Sequence, residues 1–167
     1  MVAVLATDPA AHHPHSIVVD DLIDWWATCT AANLTPLLSA VRARAPFGLP
    51  GLWGAVADEI TSITLWVGQL VGRPPGQLWI HAGRLVNALA PHAPVRMARA
   101  RPFPVSHRLG GKWFRARGTC CLYYRSQRAQ GPTEQRYCNS CPLRDDDSRH
   151  QQWYAYLTDL ATGRHDR

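Results

Sequence analysis

The apolar and polar positions along the chain predict a mainly helical first half. The clearest pattern follows Pro50 and Gly51, where six apolar residues recur at intervals of three or four positions: Leu52, Val56, Ile60, Ile63, Val67 and Leu70. Asp58 and Glu59 lie off this stripe, so we expect them on the solvent side of the helix. The stripe itself is expected to face the core.

Two helices are predicted before this one. The first begins at Ser16, a possible N-cap, and carries four apolar residues at helical spacing: Val18, Leu22, Trp25 and Cys29. This placement favours Cys29 as a small core residue over a metal ligand. The second helix is expected to start at Thr35 and Pro36, because proline is favoured at the first position of a helix.

The pattern becomes mixed in the second half. A helix over Leu78 to Leu89 is expected to stop at Pro91. After it, Val95–Ala98 alternates like a strand, Pro102–Val105 is extended, and the pair Gly110-Gly111 predicts a hairpin turn into Lys112–Arg115. The acidic run that begins at Asp145 then predicts the start of a last helix, with an apolar stripe of Trp153, Leu157 and Leu160 before Gly163.

The sequence therefore predicts an α+β fold, mainly helical, in which a small antiparallel β element leads into a four-cysteine site. Residues 1–15 have no signal-peptide pattern and are expected to form a flexible tail. A single domain is expected over 16–163. It divides into a helical part (16–91), the β element with the cysteine segment (94–144) and a C-terminal helix (146–162).

Composition and charge narrow the possible functions. The chain has 167 residues and is 46% hydrophobic, which suits one domain with its own core. A net charge of +6 favours acidic partners. Nucleic acid is not expected among them, because the basic residues concentrate around the cysteines instead of forming a Lys/Arg-rich helix or arm. No apolar run is long enough to predict a membrane span.

Four of the five cysteines lie close together in the sequence, as the adjacent pair Cys120-Cys121 and the C-x-x-C pair Cys138 and Cys141. Four thiolates hold iron in iron–sulfur clusters and also hold structural zinc. Adjacent residues in an extended chain point to opposite sides, so the chain must turn if both cysteines of the first pair serve one centre. Gly118 could permit that turn. A 2Fe-2S cluster, which has two irons, accommodates such a pair more readily than a single zinc does.

The charges nearby favour an electron-accepting centre. Ten of the eighteen Lys and Arg residues lie between Arg96 and Arg136. A thiolate-bound 2Fe-2S cluster is negative and gains another negative charge on reduction, so positive side chains nearby favour the reduced form.

The segments R-G-T-C-C-L-Y-Y-R, from Arg117 to Arg125, and C-N-S-C-P-L-R, from Cys138 to Arg144, resemble the cluster motif of the FhuF-like ferric siderophore reductases. This resemblance implies that Cys120, Cys121, Cys138 and Cys141 ligate a 2Fe-2S cluster. It also implies a cytoplasmic oxidoreductase that reduces Fe(III) in a ferric siderophore to Fe(II) and releases the iron.

The chain carries no nucleotide-binding motif, so the electrons are expected from an external donor, a ferredoxin or a flavoprotein reductase. Three arginines are candidates to raise the cluster potential and to contact the siderophore or the donor: Arg117, Arg125 and Arg144. Trp113 and Tyr123 are candidates to flank a substrate face, although both also suit a core.

Three alternatives remain open. An electron-transfer or redox-sensing module would hold the same cluster without siderophore reductase activity. A zinc-stabilised binding domain would use the same four thiolates. A disulfide framework is a third possibility, but a chain that builds its own core has less need of one.

Overall fold

The computed structural model describes residues 1–108, 110–126, 129, 131–132 and 136–162. Within these ranges the chain forms four α-helices and two two-stranded sheets: β1 (Val2–Val4), β2 (Ser16–Val18), α1 (Leu22–Arg44), α2 (Leu49–Leu70), α3 (Pro75–Leu89), β3 (Arg101–Val105), β4 (Lys112–Ala116) and α4 (Asp146–Ala161). The predicted α+β class, mainly helical with a small antiparallel sheet, is confirmed.

The first helix starts later and ends later than the sequence predicts. α1 begins at Leu22, where the carboxylate of Asp21 caps it by accepting from the backbone N–H groups of Ile23 and Asp24. It continues through Pro36, so the predicted start at Ser16 and the predicted second helix at Pro36 are both wrong. The Thr35 hydroxyl donates to the Ala31 carbonyl at 2.7 Å, which supplies a donor in the turn that proline disturbs.

The N-terminal residues are tied to the fold by a short parallel pair. Val2–Val4 pairs in parallel with Ser16–Val18, and Val4 is buried. This arrangement differs from the flexible tail expected over 1–15. The strand at Ser16 also explains why the helix starts later, since an extended residue cannot belong to the first helical turn.

α2 exists as predicted but turns a different face inward. Ile63, Val67 and Leu70 are exposed, whereas the buried residues of α2 are Trp53, Gly54, Ala57, Asp58, Thr61, Leu65 and Gly68. The glycines allow close contact: a Cβ at Gly68 would lie 2.0 Å from a methyl carbon of Leu78 on α3. The predicted stripe is therefore wrong in its second half, because the close approach of Leu78 to Gly68 turns Thr61, Leu65 and Gly68 inward in its place. None of the described helices is both long and apolar enough to cross a membrane.

The core of the helical part lies between α1, α2 and α3. It is built from the buried residues Ala31, Leu38, Trp53, Ala57, Val86, Leu89 and Met97. Met97 comes from the segment after α3, which the sequence predicts as a strand over Val95–Ala98. That prediction is wrong, because the segment forms no ladder and instead places Met97 in the core.

The β hairpin and α4 share a second, smaller core. β3 and β4 pair antiparallel with Phe103 opposite Phe114, which confirms the predicted hairpin. Phe114 stacks on Trp153 of α4, with ring centroids 3.9 Å apart. α4 starts after Asp145, whose carboxylate accepts from the Ser148 N–H at 2.7 Å. Its predicted end at Gly163 lies outside the described residues.

Candidate metal centre

The two cysteine pairs meet at the junction of the hairpin and α4. The sulfur atoms of Cys120 and Cys141, one from each pair, lie 3.7 Å apart. A disulfide would require about 2.05 Å, and all five cysteines are free. Two thiolates bound at about 2.3 Å to one tetrahedral metal ion lie about 3.8 Å apart. The observed separation therefore fits two ligands of one metal.

The other two cysteines are less well placed. Cys138 is half-buried, with its sulfur 3.8 Å from the Ser140 hydroxyl oxygen, and Cys121 is exposed. In the described part of the chain, no three His, Cys, Asp or Glu side chains form a group that could hold a metal ion. The structure thus brings together Cys120 and Cys141, but not the complete predicted set of four.

The turn at the adjacent cysteines is made after them. Leu122 has a φ of 59°, in the left-handed region, and its N–H lies 3.4 Å from the Cys120 sulfur, which can accept from it. The sequence places this turn at Gly118 instead. Gly118 has another role, because a Cβ there would lie 2.4 Å from the backbone nitrogen of Arg99. Only glycine permits the two backbone segments to approach so closely.

The Cys141 thiol is held in its neutral form. It is buried, and burial raises its pKa to about 11, with the neighbouring thiols of Cys120 and Cys138 acting in the same direction. A bound metal cation reverses this balance, because it stabilises thiolates and deprotonates its cysteine ligands. Cys120 and Cys141 therefore supply two sulfur donors of the kind that a thiolate-bound metal centre uses.

A buried carboxylate positions the first cysteine pair. Asp58 on α2 is fully buried and accepts from the backbone N–H groups of Gly118 at 2.8 Å and Thr119 at 3.0 Å. It also accepts from Nε of Arg117 at 3.2 Å. Thr119 packs so closely on α2 that a Cβ at Gly54 would lie 1.9 Å from its hydroxyl oxygen. The segment leading into Cys120 is therefore fixed against α2.

Two buried arginines fix the C-x-x-C turn. Arg149 on α4 is 1% exposed and donates to the carbonyl of Cys141 at 2.7 Å and to that of Arg144 at 2.6 Å. Arg144 is 6% exposed and donates to the Tyr137 and Cys138 carbonyls and to the Ser148 hydroxyl. Arg144 is therefore engaged inside the protein, in contrast to its expected role as a surface contact for a partner.

The other two predicted arginines, Arg117 and Arg125, differ in their exposure to solvent. Arg117 is held by Asp58; burial opposes its charged form, but the Asp58 hydrogen bond and charge raise the pKa of Arg117 above its ordinary value. Its backbone N–H also donates to the Ser140 carbonyl at 2.8 Å, which joins the two cysteine segments. Arg125 is exposed and lies over the Tyr124 ring, 5.4 Å from its centroid. Of these arginines, Arg125 is the one that a partner can reach.

Sequence reasoning missed Asp58 and Arg149. The pattern of α2 predicts Asp58 on the solvent side, and its partner Gly118 is 60 residues away.

Comparisons of this chain with protein-family models, with curated proteins and with solved structures found no match.

Proposed function

We propose that this protein is a 2Fe-2S oxidoreductase of the FhuF-like type, which reduces Fe(III) in a ferric siderophore in the cytoplasm and so releases iron. The observation that carries the proposal is the 3.7 Å approach of the Cys120 and Cys141 sulfurs, which joins one member of each cysteine pair. The motif resemblance supplies the reaction, and the surrounding basic charge supports it.

In this proposal Cys120, Cys121, Cys138 and Cys141 hold the cluster. When bound, a 2Fe-2S cluster supplies one electron at a time, which is the change that converts Fe(III) to Fe(II). A ferredoxin or flavoprotein reductase would supply that electron. Siderophore oxygen donors hold Fe(II) much less strongly than Fe(III), so the reduction loosens the complex.

The chain's own residues would tune and shield the centre. Arg117 is held close to Cys121 by Asp58, so its positive charge stabilises negative charge on that sulfur. Arg149 and Arg144 hold the backbone of the C-x-x-C turn, which limits movement of the ligands during electron transfer. Exposed Arg125 would attract an anionic siderophore or an acidic donor protein.

The test is anaerobic purification followed by a visible absorption spectrum, EPR after dithionite reduction, and assays of iron, sulfide and zinc. We expect a red-brown protein with two irons whose colour bleaches on reduction, and which releases Fe(II) from ferric siderophores. Cys120→Ser should lose the colour, whereas Cys29→Ser, which removes a cysteine outside the site, should keep it.

Zinc is the second candidate, because a 3.7 Å sulfur separation also fits a tetrahedral zinc site. A colourless protein that holds one zinc even after reconstitution with iron and sulfide would establish a zinc-stabilised binding domain instead. A coloured, redox-active protein that releases no iron from any siderophore would establish an electron-transfer or redox-sensing module.

A further inference from the structure

A cleft of about 650 Å³ opens beside the cysteine site. Its walls come from α2, the β hairpin, the C-x-x-C turn and α4. Ser140, which lies between Cys138 and Cys141, lines the cleft, and its hydroxyl oxygen is 3.8 Å from the Cys138 sulfur. Any molecule that contacts Ser140 from the cleft would therefore lie close to the Cys138 sulfur. The volume of the cleft is in the range of ligand-binding sites.

The lining of this cleft is aromatic. Trp66 and Trp113 line it and are 63% and 44% exposed. The stacked pair Phe114 and Trp153 also contributes. The indole N–H of Trp153 is buried and has no acceptor among the described residues. Such a surface is suited to flat aromatic rings, which would cover the exposed tryptophans.

The charge of the cleft is positive. Lys112 and Arg115 line it, and the described lining residues include no carboxylate. Arg115 is fixed in place, because its guanidinium donates to the Asp58 carbonyl at 2.7 Å. Lys112 is exposed at the start of β4 and carries the only lysine ammonium of the chain. Glu59 and Asp58, which lie outside the lining, act on the charge of Arg115 and offset part of it, so Lys112 is the lining side chain that attracts anions to the cleft.

We propose that this cleft binds an anionic metal chelate whose donor groups are carried on aromatic rings, that is, a catecholate-type ferric complex. Three catecholate dianions around Fe(III) leave a negative complex with aromatic edges. Three hydroxamate monoanions leave a neutral complex without rings, which would gain little from Lys112 or Trp113. The inference rests on the proposed function for its metal, but the binding itself requires no electron transfer.

A redox-inert probe separates the binding from the reaction. Ga(III) forms the same trivalent complexes as Fe(III), so calorimetric titration with a gallium tris-catecholamide and a gallium trihydroxamate of similar size measures binding alone. We expect the purified protein to bind the tris-catecholamide complex, more weakly as salt rises, and to prefer it about tenfold or more over the neutral complex.

Two variants test the cleft, each with a matched control. Trp113→Ala should weaken binding of the tris-catecholamide complex about tenfold, and Lys112→Gln about fivefold with a smaller salt dependence. Ile80→Ala, which removes an exposed apolar side chain on α3, and Arg42→Gln, which removes one exposed charge on α1, should leave binding unchanged. Thermal unfolding of every variant by circular dichroism identifies any that fail to fold.

The outcomes for the two proposals are distinct. No binding of the tris-catecholamide complex, equal binding of the neutral complex, or unchanged binding in both cleft variants would overturn the cleft assignment, whatever the metal content. Binding with the expected variant effects in a protein that holds no iron would support the cleft and overturn the reductase.

Discussion

The carboxylate of Asp58 lies 2.8 Å from the backbone nitrogen of Gly118, although 60 residues separate them in the sequence. The interaction joins the buried face of α2 to the segment that enters Cys120. Because Asp58 is fully buried, its charge must be balanced inside the protein, and Arg117 supplies the counter-charge. The geometry of the first cysteine pair therefore depends on a residue of α2.

Asp58→Asn should destabilise the protein by about 2–4 kcal/mol. The amide removes the negative charge that pairs with half-buried Arg117 and turns an NH₂ group toward backbone N–H groups that need an acceptor. Urea unfolding followed by circular dichroism measures the change. We expect the variant also to lose its metal faster to a chelator, because the Cys120 segment is released.

Glu59→Gln is the matched control for this variant. Glu59 is the adjacent carboxylate, is exposed, and lies 3.9 Å from Arg117. Its loss should change stability by about 0.5 kcal/mol or less. Equal effects of the two substitutions would show that burial of Asp58 does not anchor the cysteine segment.

Gly118→Ala should destabilise the protein by about 1–3 kcal/mol. The added methyl would lie 2.4 Å from the Arg99 backbone nitrogen, and the Gly118 segment cannot move away without disturbing the Thr119 hydrogen bond to Asp58. The comparison is Gly83→Ala in α3, where the methyl meets nothing within 4 Å. There alanine should stabilise by up to about 1 kcal/mol, because it favours helix. Changes in the free energy of unfolding that have the same sign for both variants would contradict the close approach.

The parts of the fold that depend on local sequence could be predicted. α2, α3, the hairpin and α4 all follow from local signals: periodic apolar residues, Pro91 after α3, the Gly110-Gly111 pair and the acidic run that begins at Asp145. The preference of proline for helix starts predicts a break at Pro36, but α1 continues through it. A helix with enough packing on both sides of a proline can continue through it.

The anchoring of the site could not be predicted in the same way. The buried face of α2 includes the small residues Gly54 and Ala57 beside Trp53 and Leu65, and Gly54 packs against Thr119 far along the chain. The burial of Asp58 follows from the same distant contact. The cysteine pattern predicts that the two pairs approach each other, because the C-x-x-C spacing is local, and the structure brings one member of each pair, Cys120 and Cys141, within 3.7 Å.

Arg149→Met should cost about 2–4 kcal/mol and loosen the C-x-x-C turn. The substitution leaves the Cys141 and Arg144 carbonyls without their buried donor, although methionine fills much of the volume over Phe103. Denaturant unfolding gives the free-energy change, and amide hydrogen exchange at 138–144 reports the loosening.

Arg101→Met is the corresponding control. Arg101 pairs with the same carboxylate, Asp146, but it is half-exposed and donates to no carbonyl of the cysteine turn. It should change stability by about 0.5 kcal/mol or less. Faster exchange at 138–144 in the Arg101 variant, or normal exchange in the Arg149 variant, would remove Arg149 from its positioning role.

The order in which the thiols react with iodoacetamide provides a test of the site that does not use activity. In chelator-treated protein, exposed Cys121 should react about tenfold or more faster than Cys141, which is buried. With a pKa of about 11, roughly one Cys141 thiol in a thousand is ionised at pH 8, so its rate should rise with pH up to about 11.

Metal loading should then protect Cys120, Cys121, Cys138 and Cys141 together, because coordinated thiolates no longer react with the reagent. Cys29 on α1 serves as the internal control, since its rate should be the same before and after loading. Peptide mass spectrometry after timed alkylation gives all five rates in one experiment. Protection of Cys120 and Cys141 with continued reaction of Cys121 would mean that the metal has fewer protein ligands than four, which would remove Cys121 from the ligand set and weaken the case for a four-thiolate cluster.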